Sequence, residues 1–167
     1  MMHLAAFQFV ERMARRRPSG LVLEIGGRDI NGSVRPLFDD DPYIAIDLVP
    51  GPGVDVVADG TTFEPSIRPA CVVCCEVLEH TPEASEIVRH AFHILRPGGV
   101  LILTMAGPGR AAHSAVDGGP LQPGEYYRNI EPNDLGIWLA PFLEAAIMEN
   151  PAEGDLYAVA SKGLVSG

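Results

Sequence analysis

The chain opens on an amphipathic segment. Ala6, Phe9, Val10 and Met13 recur at the i, i+3, i+4, i+7 spacing of one helix face, which predicts an N-terminal helix over residues 3–16. A Pro-Ser-Gly tripeptide follows and is expected to end that helix.

Short apolar runs bounded by glycine, proline or aspartate predict buried strands. The first covers residues 21–25, and its almost continuous apolar character is typical of a parallel strand covered on both faces. The other predicted strands are 43–46, 54–57, 70–75, 100–105, 145–148 and 156–160. Residues 48–53, between the second and third strands, are too few for a crossover helix, so we expect a loop there.

Two more helices are predicted in the second half of the chain. Thr81 is a suitable N-cap, Pro82 suits the first helical position, and an apolar stripe then continues to Arg96. A last helix is marked by apolar positions within residues 135–142. Residues 106–129 between these helices show no period, and loops of this length in compact domains are usually functional lids or mobile segments.

Strands that alternate with helices predict one α/β domain over residues 1–167. The expected architecture is a doubly wound, Rossmann-like, mostly parallel sheet. Its core lies in residues 20–105, followed by the long loop 106–129 and by a C-terminal helix and strands within 131–162.

The charge balance and the cysteines exclude several classes of protein. The net charge is −10, which disfavours a nucleic-acid partner, and the basic run at 15–17 is interpreted as a solvated helix end. No apolar run approaches the ~18 residues of a membrane span, and the N-terminus lacks a secretory pattern. Three cysteines without CxxC spacing predict neither a disulfide framework nor a zinc site. We therefore expect a cytoplasmic protein without membrane association.

Carboxylates and glycines stand at the ends of the first three predicted strands. Glu24 lies at the end of the first and is followed by Gly26 and Gly27, Asp47 ends the second, and Asp59 ends the third. Glycines let the backbone approach a ligand closely, and ligands of doubly wound folds bind at the carboxyl ends of strands. The carboxylates suit an ammonium group, the two hydroxyls of a ribose and an adenine edge. Taken singly, each feature is as well explained by a turn or a solvated charge.

The order of these features resembles the class I S-adenosylmethionine-dependent methyltransferases over about residues 20–140. The most specific part is Cys-Glu-Val-Leu-Glu-His at 75–80, followed by a helix and Leu-Arg-Pro-Gly-Gly at 95–99. Leu-Glu-Ile-Gly-Gly at 23–27 and Ala-Asp-Gly at 58–60 add to it. The resemblance implies methyl transfer from S-adenosylmethionine to a small-molecule acceptor.

The resemblance also implies which residues hold the cofactor. They are Glu24, Gly26, Gly27, Asp47, Leu48, Asp59, Gly60, Cys75 and Glu76. Within this set, Glu24 and the two following glycines would hold the methionine end. Asp47 would bind the ribose, and Asp59 with Gly60 would bind the adenine.

Two further groups are implied to face the substrate. Glu79 and His80 form the first, and His80 is the candidate general base because imidazole titrates near neutral pH. The alternative is that His80 only caps or packs near the next helix. The second group is the segment Tyr126, Tyr127 and Arg128, which either clamps an anionic substrate group or acts as a hydrophobic staple.

Other chemistry-bearing residues are given no role. His113, in the long loop, is expected to be exposed, and the acidic run at 39–41 is interpreted as a solvated loop, so we expect no metal. Two other functions stay open. One is a non-catalytic module that binds the cofactor or works through a homodimer, because the short chain leaves little room for a substrate cap. The other is a dinucleotide-dependent oxidoreductase, which is weaker because Gly26 and Gly27 do not fit GxGxxG.

Overall fold

The computed structural model describes residues 4–30 and 32–164, and in this part of the chain a seven-stranded sheet forms the centre. The strands are β1 (Val22–Ile25), β2 (Tyr43–Asp47), β3 (Val56–Val57), β4 (Cys71–Cys75), β5 (Val100–Ala106), β6 (Glu144–Asn150) and β7 (Asp155–Ser161). The helices are α1 (Leu4–Ala14), α2 (Ala84–Ile94) and α3 (Pro132–Leu139), with short 3-10 helices at Arg35–Phe38 and Leu78–His80. All predicted strands are present.

The strand order is β3-β2-β1-β4-β5-β7-β6. The first five strands in this order pair in parallel, while β7 runs antiparallel to both β5 and β6. The chain therefore builds outward from β1 in one direction and from β4 in the other, so the order reverses between these two neighbours. This confirms the predicted doubly wound sheet, and it places the expected ligand crevice at the carboxyl ends of β1 and β4.

Alternate residues of each central strand supply two separate cores. Leu23 and Val72 belong to the core beneath α2 and α3, while Val22 and Val73 belong to the core beneath α1. Because successive side chains of a strand point to opposite faces, a strand covered on both sides must be apolar throughout. This explains why the central strands show no polar alternation in the sequence.

The boundaries of all three helices differ from the prediction. The N-terminal helix predicted over 3–16 spans Leu4–Ala14, and residue 3 lies outside the described residues. The second helix begins at Ala84 rather than at Pro82. The reason is a local turn, in which Thr81 Oγ1 accepts the Glu83 N–H at 3.1 Å and so caps that turn instead of the helix.

The last helix ends earlier than predicted, since α3 spans Pro132–Leu139 and the buried Phe142 follows in a turn. The connection from β2 to β3 contains no helix, as predicted, and β3 is reduced to two residues. This edge of the sheet is therefore thin. Among the described helices, none has the length and apolar character needed to cross a membrane.

Two charged runs are less solvated than predicted. Arg17, in the run at 15–17, forms a half-buried ion pair with Asp41 of the acidic run at 39–41. The other oxygen of Asp41 accepts the Gly20 N–H at 2.7 Å, whereas Asp39 remains exposed. The pair ties the segment after α1 to the start of β2, so only part of each run is solvated.

Candidate functional site

A cavity of about 360 Å³ opens at the carboxyl ends of β1, β2 and β4. This volume lies in the range of ~300–1,000 Å³ that small-molecule sites occupy. All nine residues predicted to bind a cofactor line it: Glu24, Gly26, Gly27, Asp47, Leu48, Asp59, Gly60, Cys75 and Glu76. The sheet thus brings together residues from separate strand ends, as the topology predicts.

The turn after β1 needs both of its glycines. Gly26 has a φ of +79°, and a Cβ at this position would lie 2.2 Å from Val77 Cγ2. A Cβ at Gly27 would lie 2.6 Å from Ala45 Cβ and 2.9 Å from Glu24 Oε2. Any side chain at these two positions would therefore displace the wall of the cavity or the Glu24 carboxylate. Without side chains, the turn leaves room for a ligand to approach the backbone closely.

Glu24 places a carboxyl group at the cavity with little exposure to solvent. Only 6% of the residue is exposed, and this burial raises its pKa above the ordinary value of 4.5. A cationic group bound in the cavity would favour the ionised form and offset the cost of burial. The Glu24 carboxyl therefore suits a ligand ammonium.

Asp47 is held in place by backbone donors on two loops. Its Oδ2 accepts the Arg28 N–H at 3.3 Å, and its Oδ1 accepts the Val49 N–H at 3.1 Å. The exposed side chain of Leu48 lines the cavity next to it. A fixed carboxylate beside an apolar surface can accept hydroxyl groups from a sugar whose attached base lies on that surface.

Asp59 and Gly60 close the same end of the cavity. Asp59 Oδ1 accepts both the N–H and the hydroxyl of Thr61, each at 2.7 Å, and these bonds lower the Asp59 pKa. A Cβ at Gly60 would lie 2.5 Å from Ile25 Cγ2. Gly60 therefore lets the Asp59 loop sit directly on the end of β1.

Cys75 and Glu76 line the cavity where β4 ends. Burial raises the pKa of the Cys75 thiol well above its ordinary value, so it is not an activated nucleophile. Glu76 has a φ of 56° and is the one non-glycine residue with positive φ in the described part of the chain. Its Oε1 accepts the Thr104 hydroxyl at 2.9 Å, and its Oε2 lies 3.8 Å from the Arg110 guanidinium. These contacts hold a strained residue at the cavity edge.

The two residues expected to face a substrate both lie in the 3-10 helix Leu78–His80, but their surroundings differ. His80 lines the cavity, and burial together with the neighbouring His113 lowers its pKa to about 4. Glu79 does not line the cavity, contrary to expectation, because it points into the protein and is fully buried. Its Oε1 accepts the Ala106 N–H at 3.1 Å, and burial and the charge of Glu76 raise its pKa to about 8.

The long loop supplies a wall that we did not predict. The residues of this wall are His113, Ser114, Ala115, Val116 and Gly118. His113 is half-buried, so the expectation of an exposed His113 is wrong. The Ser114 hydroxyl donates to Glu125 Oε1 at 2.8 Å within the loop, and the Arg28 guanidinium reaches the Ala115 carbonyl oxygen at 3.5 Å. Non-local contacts of this kind leave no periodic signal in the sequence.

The segment Tyr126–Arg128 is divided between two places. The Tyr127 ring lies 5.4 Å from the His80 ring and 5.1 Å from the His113 ring, between centroids. Tyr126 and Arg128 instead line a second groove, which Thr81 shares with the main cavity. The Arg128 guanidinium donates to Asp134 at 2.7 Å, so only Tyr127 adjoins the predicted site.

The sequence of the chain matches a known protein family. The family described as a methyltransferase domain matches residues 2–133, most of the chain. The chain belongs to this methyltransferase domain family. Ubiquinone biosynthesis O-methyltransferase from Pseudomonas fluorescens is 32% identical over 75 residues, which are 40% of this methyltransferase domain and 32% of that relative. The matched segment is thus about a third of the relative's length.

Solved structures share the fold of this methyltransferase domain. One is the Burkholderia thailandensis 1,6-didemethyltoxoflavin-N1-methyltransferase with bound 1,6-didemethyltoxoflavin and S-adenosylhomocysteine. It is 19% identical with a TM-score of 0.68, over 95% of this chain and 79% of that one. Another is a SAM-bound amino pentose methyltransferase from Micromonospora echinaspora, 19% identical with a TM-score of 0.66, over 97% and 92% of the two chains. These likenesses establish the fold.

Proposed function

We propose that this methyltransferase domain transfers the methyl group of S-adenosylmethionine to a small-molecule acceptor. The observation that carries the proposal is that Glu24, Asp47 and Asp59, from three strand ends, line one cavity with the glycine turn. The structural relatives named above were solved with S-adenosylhomocysteine or S-adenosylmethionine, which supports the same ligand here. The net charge of −10 supports a small acceptor over a nucleic acid.

The lining residues suit the three parts of this cofactor. The buried Glu24 carboxyl suits the amino group of the methionine end, for which Gly26 and Gly27 leave room. The fixed Asp47 carboxylate suits the ribose hydroxyls, and Leu48 with the Asp59 loop suits the adenine. When bound, the cofactor supplies an activated methyl group, so the protein needs chiefly to align the acceptor.

His80 is the proposed general base for a methyl-accepting substrate that must lose a proton. It lines the cavity, and its lowered pKa of about 4 keeps the imidazole unprotonated at neutral pH. Such an imidazole has a lone pair available, although a pKa this low makes it a weak base. Glu79, the other residue expected to face the substrate, is fully buried and does not line the cavity, so we assign it no contact with the acceptor.

Calorimetry with the full chain tests the proposal. We expect S-adenosylhomocysteine to bind and NADH not to bind, and Asp47→Ala to weaken binding at least ~10-fold through loss of two hydroxyl contacts. Asp40→Ala, at an exposed position outside the cavity, is the matched control and should bind as the wild type does. Binding of NADH would instead favour a dinucleotide oxidoreductase, and binding of neither ligand a non-catalytic module.

The His80 role has its own test. We expect His80→Ala to retain S-adenosylhomocysteine binding and to lower turnover, because the residue adjoins the acceptor end of the cavity. Mass spectrometry of a metabolite extract incubated with the protein and labelled cofactor identifies the acceptor for this assay. Turnover equal to the wild type in His80→Ala would remove the general-base role.

We also propose a cytoplasmic setting and a homodimer. The three cysteines are free, as expected in a reducing compartment. The edge strand β6 is exposed at five of its seven positions and offers its backbone for pairing with a second copy. Sedimentation analysis over a range of concentrations tests the dimer, and a monomer at every concentration would contradict it.

A further inference from the structure

Two histidines and a glutamate come together behind the cofactor residues. Glu79, His80 and His113 each offer one ligand atom, and these three atoms all lie within 4.8 Å of one another. The 3-10 helix after β4 supplies the first two residues, and the long loop supplies the third. The fold therefore brings together two imidazoles and one carboxyl group from segments that are distant in sequence.

Two buried atoms of this cluster lack hydrogen-bond partners within the described part of the chain. They are Oε2 of Glu79, a residue with 0% exposure, and Nδ1 of His80. Leaving such an atom unsatisfied in the interior costs ~1–3 kcal/mol, so each one requires an explanation. A ligand bound between the two side chains explains both.

The imidazole of His113 is oriented as metal-binding histidines are. Its Nδ1 lies 3.1 Å from the Ala111 carbonyl oxygen. A carbonyl oxygen only accepts, so Nδ1 carries the proton in this contact and Nε2 presents the lone pair. Metal-binding histidines are usually held by such a bond from the other ring nitrogen. The Tyr127 ring packs edge-to-face against both imidazoles and restrains them further.

We propose that Glu79, His80 and His113 bind a divalent transition-metal ion of the zinc or ferrous-iron type. Two imidazole nitrogens and one carboxylate oxygen are a common ligand set for these ions, with positions left open for other ligands. Ligands at ~2.0–2.1 Å from one ion lie ~3.4 Å apart in a tetrahedron, so ligand atoms that now lie within 4.8 Å of one another need to approach by at most about 1.4 Å on binding. The acidic run at 39–41, from which no metal was expected, takes no part.

The position of the cluster would place the metal ion next to the methyl acceptor, an inference that rests on the proposed function. His80 and His113 line the cavity, whereas Glu79 lies behind them. The open positions of the ion would therefore face the acceptor, where they suit an oxygen ligand such as a hydroxyl group. His80→Ala would lose turnover whether His80 is a metal ligand or a general base. The metal content of the His80→Ala protein distinguishes the two roles, because only loss of a ligand lowers it.

Metal titration of the chelator-treated full chain tests the site. We expect Co²⁺ to bind at one ion per chain with visible absorption bands, and Zn²⁺ to displace it. Glu79→Gln, His80→Ala and His113→Ala should each weaken binding at least ~10-fold, because loss of a group that only orients a metal ligand already costs ~10–100-fold. His93→Ala is the matched control because His93 is exposed on α2 beside Glu64, and it should bind as the wild type does.

His113→Ala keeps the test decisive if the buried Glu79 variant fails to fold, because His113 lies on a loop and its removal leaves the core intact. No saturable binding by the wild type, or unchanged binding by folded His113→Ala, would overturn the site. Titration with S-adenosylhomocysteine separates this proposal from the proposed function. Cofactor binding without metal binding overturns only the metal site, and metal binding without cofactor binding supports the site while contradicting the proposed function.

Discussion

At the scale of one residue, Glu24 shows how a group suited to ligand binding can lower the stability of the folded protein. The residue occupies an otherwise apolar strand that lies between β2 and β4, and its side chain is buried. A buried carboxyl group costs free energy unless a cation or hydrogen bonds compensate for it. Burial accordingly raises the Glu24 pKa, which is common for groups at functional sites.

The raised pKa of Glu24 predicts a pH dependence of stability. Between the unfolded value near 4.5 and the raised folded value, the folded protein holds the Glu24 proton more often than the unfolded chain does. The contribution to the unfolding free energy is therefore fully present below pH ~4.5 and is lost as the pH rises through the folded pKa. We expect Glu24→Gln, which stays neutral, to gain stability relative to the wild type as the pH rises. Urea unfolding from about pH 4 to about pH 8 measures this difference.

Glu144→Gln is the matched control for Glu24→Gln, because Glu144 is exposed on β6. Its stability difference from the wild type should not change with pH in the same way. If Glu24→Gln and Glu144→Gln follow the same pH profile, burial of Glu24 does not govern the pH dependence.

Individual site residues were predictable only where the local sequence marks them. Glu24, Asp47 and Asp59 each lie at the end of an apolar run, so strand prediction alone places them near one edge of the sheet. His113 has no such mark, because its neighbours are small or polar and its contact with His80 is set by the path of the long loop. Glu79 shares a motif with His80, but Glu79 is fully buried whereas His80 lines the cavity, and the motif alone does not distinguish the two positions.

Among the secondary-structure elements, the long loop is attached to the sheet by a buried network of charged side chains. Arg110, near the start of the loop, forms an ion pair with Asp155 at the start of β7 and also approaches Glu76. Asp155 is 2% exposed, and its Oδ2 accepts the Tyr157 hydroxyl at 2.8 Å. The loop that lines the cavity is therefore held at one end by charges that are shielded from solvent.

Removing one partner of this network should weaken both the fold and the loop. Asp155→Ala leaves the Arg110 guanidinium with one carboxylate fewer and removes the acceptor of the Tyr157 hydroxyl. Breaking a buried ion pair costs ~3–5 kcal/mol, and we expect a loss of unfolding free energy of this order. Urea unfolding measures the loss, and faster amide hydrogen exchange at residues 107–110 would show that the loop has been released.

The exposed ion pair between Arg128 and Asp134 is the control for the Asp155 variant. Its side chains are 60% and 37% exposed, so Asp134→Ala should cost only ~0–1 kcal/mol. Equal losses in the two variants would show that burial does not strengthen the network.

Most elements follow from the hydrophobic pattern, while their ends depend on local hydrogen bonds. Continuous apolar runs predict β1 and β4 because both faces of these strands are covered. The start of α2 is not predictable in this way, since Thr81 suits a helix cap and a turn equally, and the structure uses it in a turn. The cavity wall formed by the long loop depends on contacts with Arg28 and Glu79 that no local pattern encodes.

The whole molecule is divided at the cavity into parts that a ligand would connect. The glycine turn and the Asp47 loop form one side, and the end of β4 with the long loop forms the other. The direct link between them at the mouth includes the Arg28 contact to Ala115. A cofactor that contacts both sides should therefore stabilise the molecule as a unit.

Ligand binding to the folded state alone predicts a measurable rise in Tm. At a concentration of S-adenosylhomocysteine about 100-fold above its Kd, the stabilisation is ~2.7 kcal/mol. For a protein of this size each kcal/mol shifts Tm by ~2–4 °C, so we expect a rise of about 5–11 °C in a thermal scan. NADH at the same concentration should leave Tm unchanged. Asp47→Ala, which binds at least ~10-fold more weakly, should lose about half of the shift or more, while its ligand-free Tm stays close to that of the wild type. Because Asp47 lies at the solvent-accessible mouth rather than in either core, a shift that survives in Asp47→Ala would mean that the ligand binds elsewhere on the molecule.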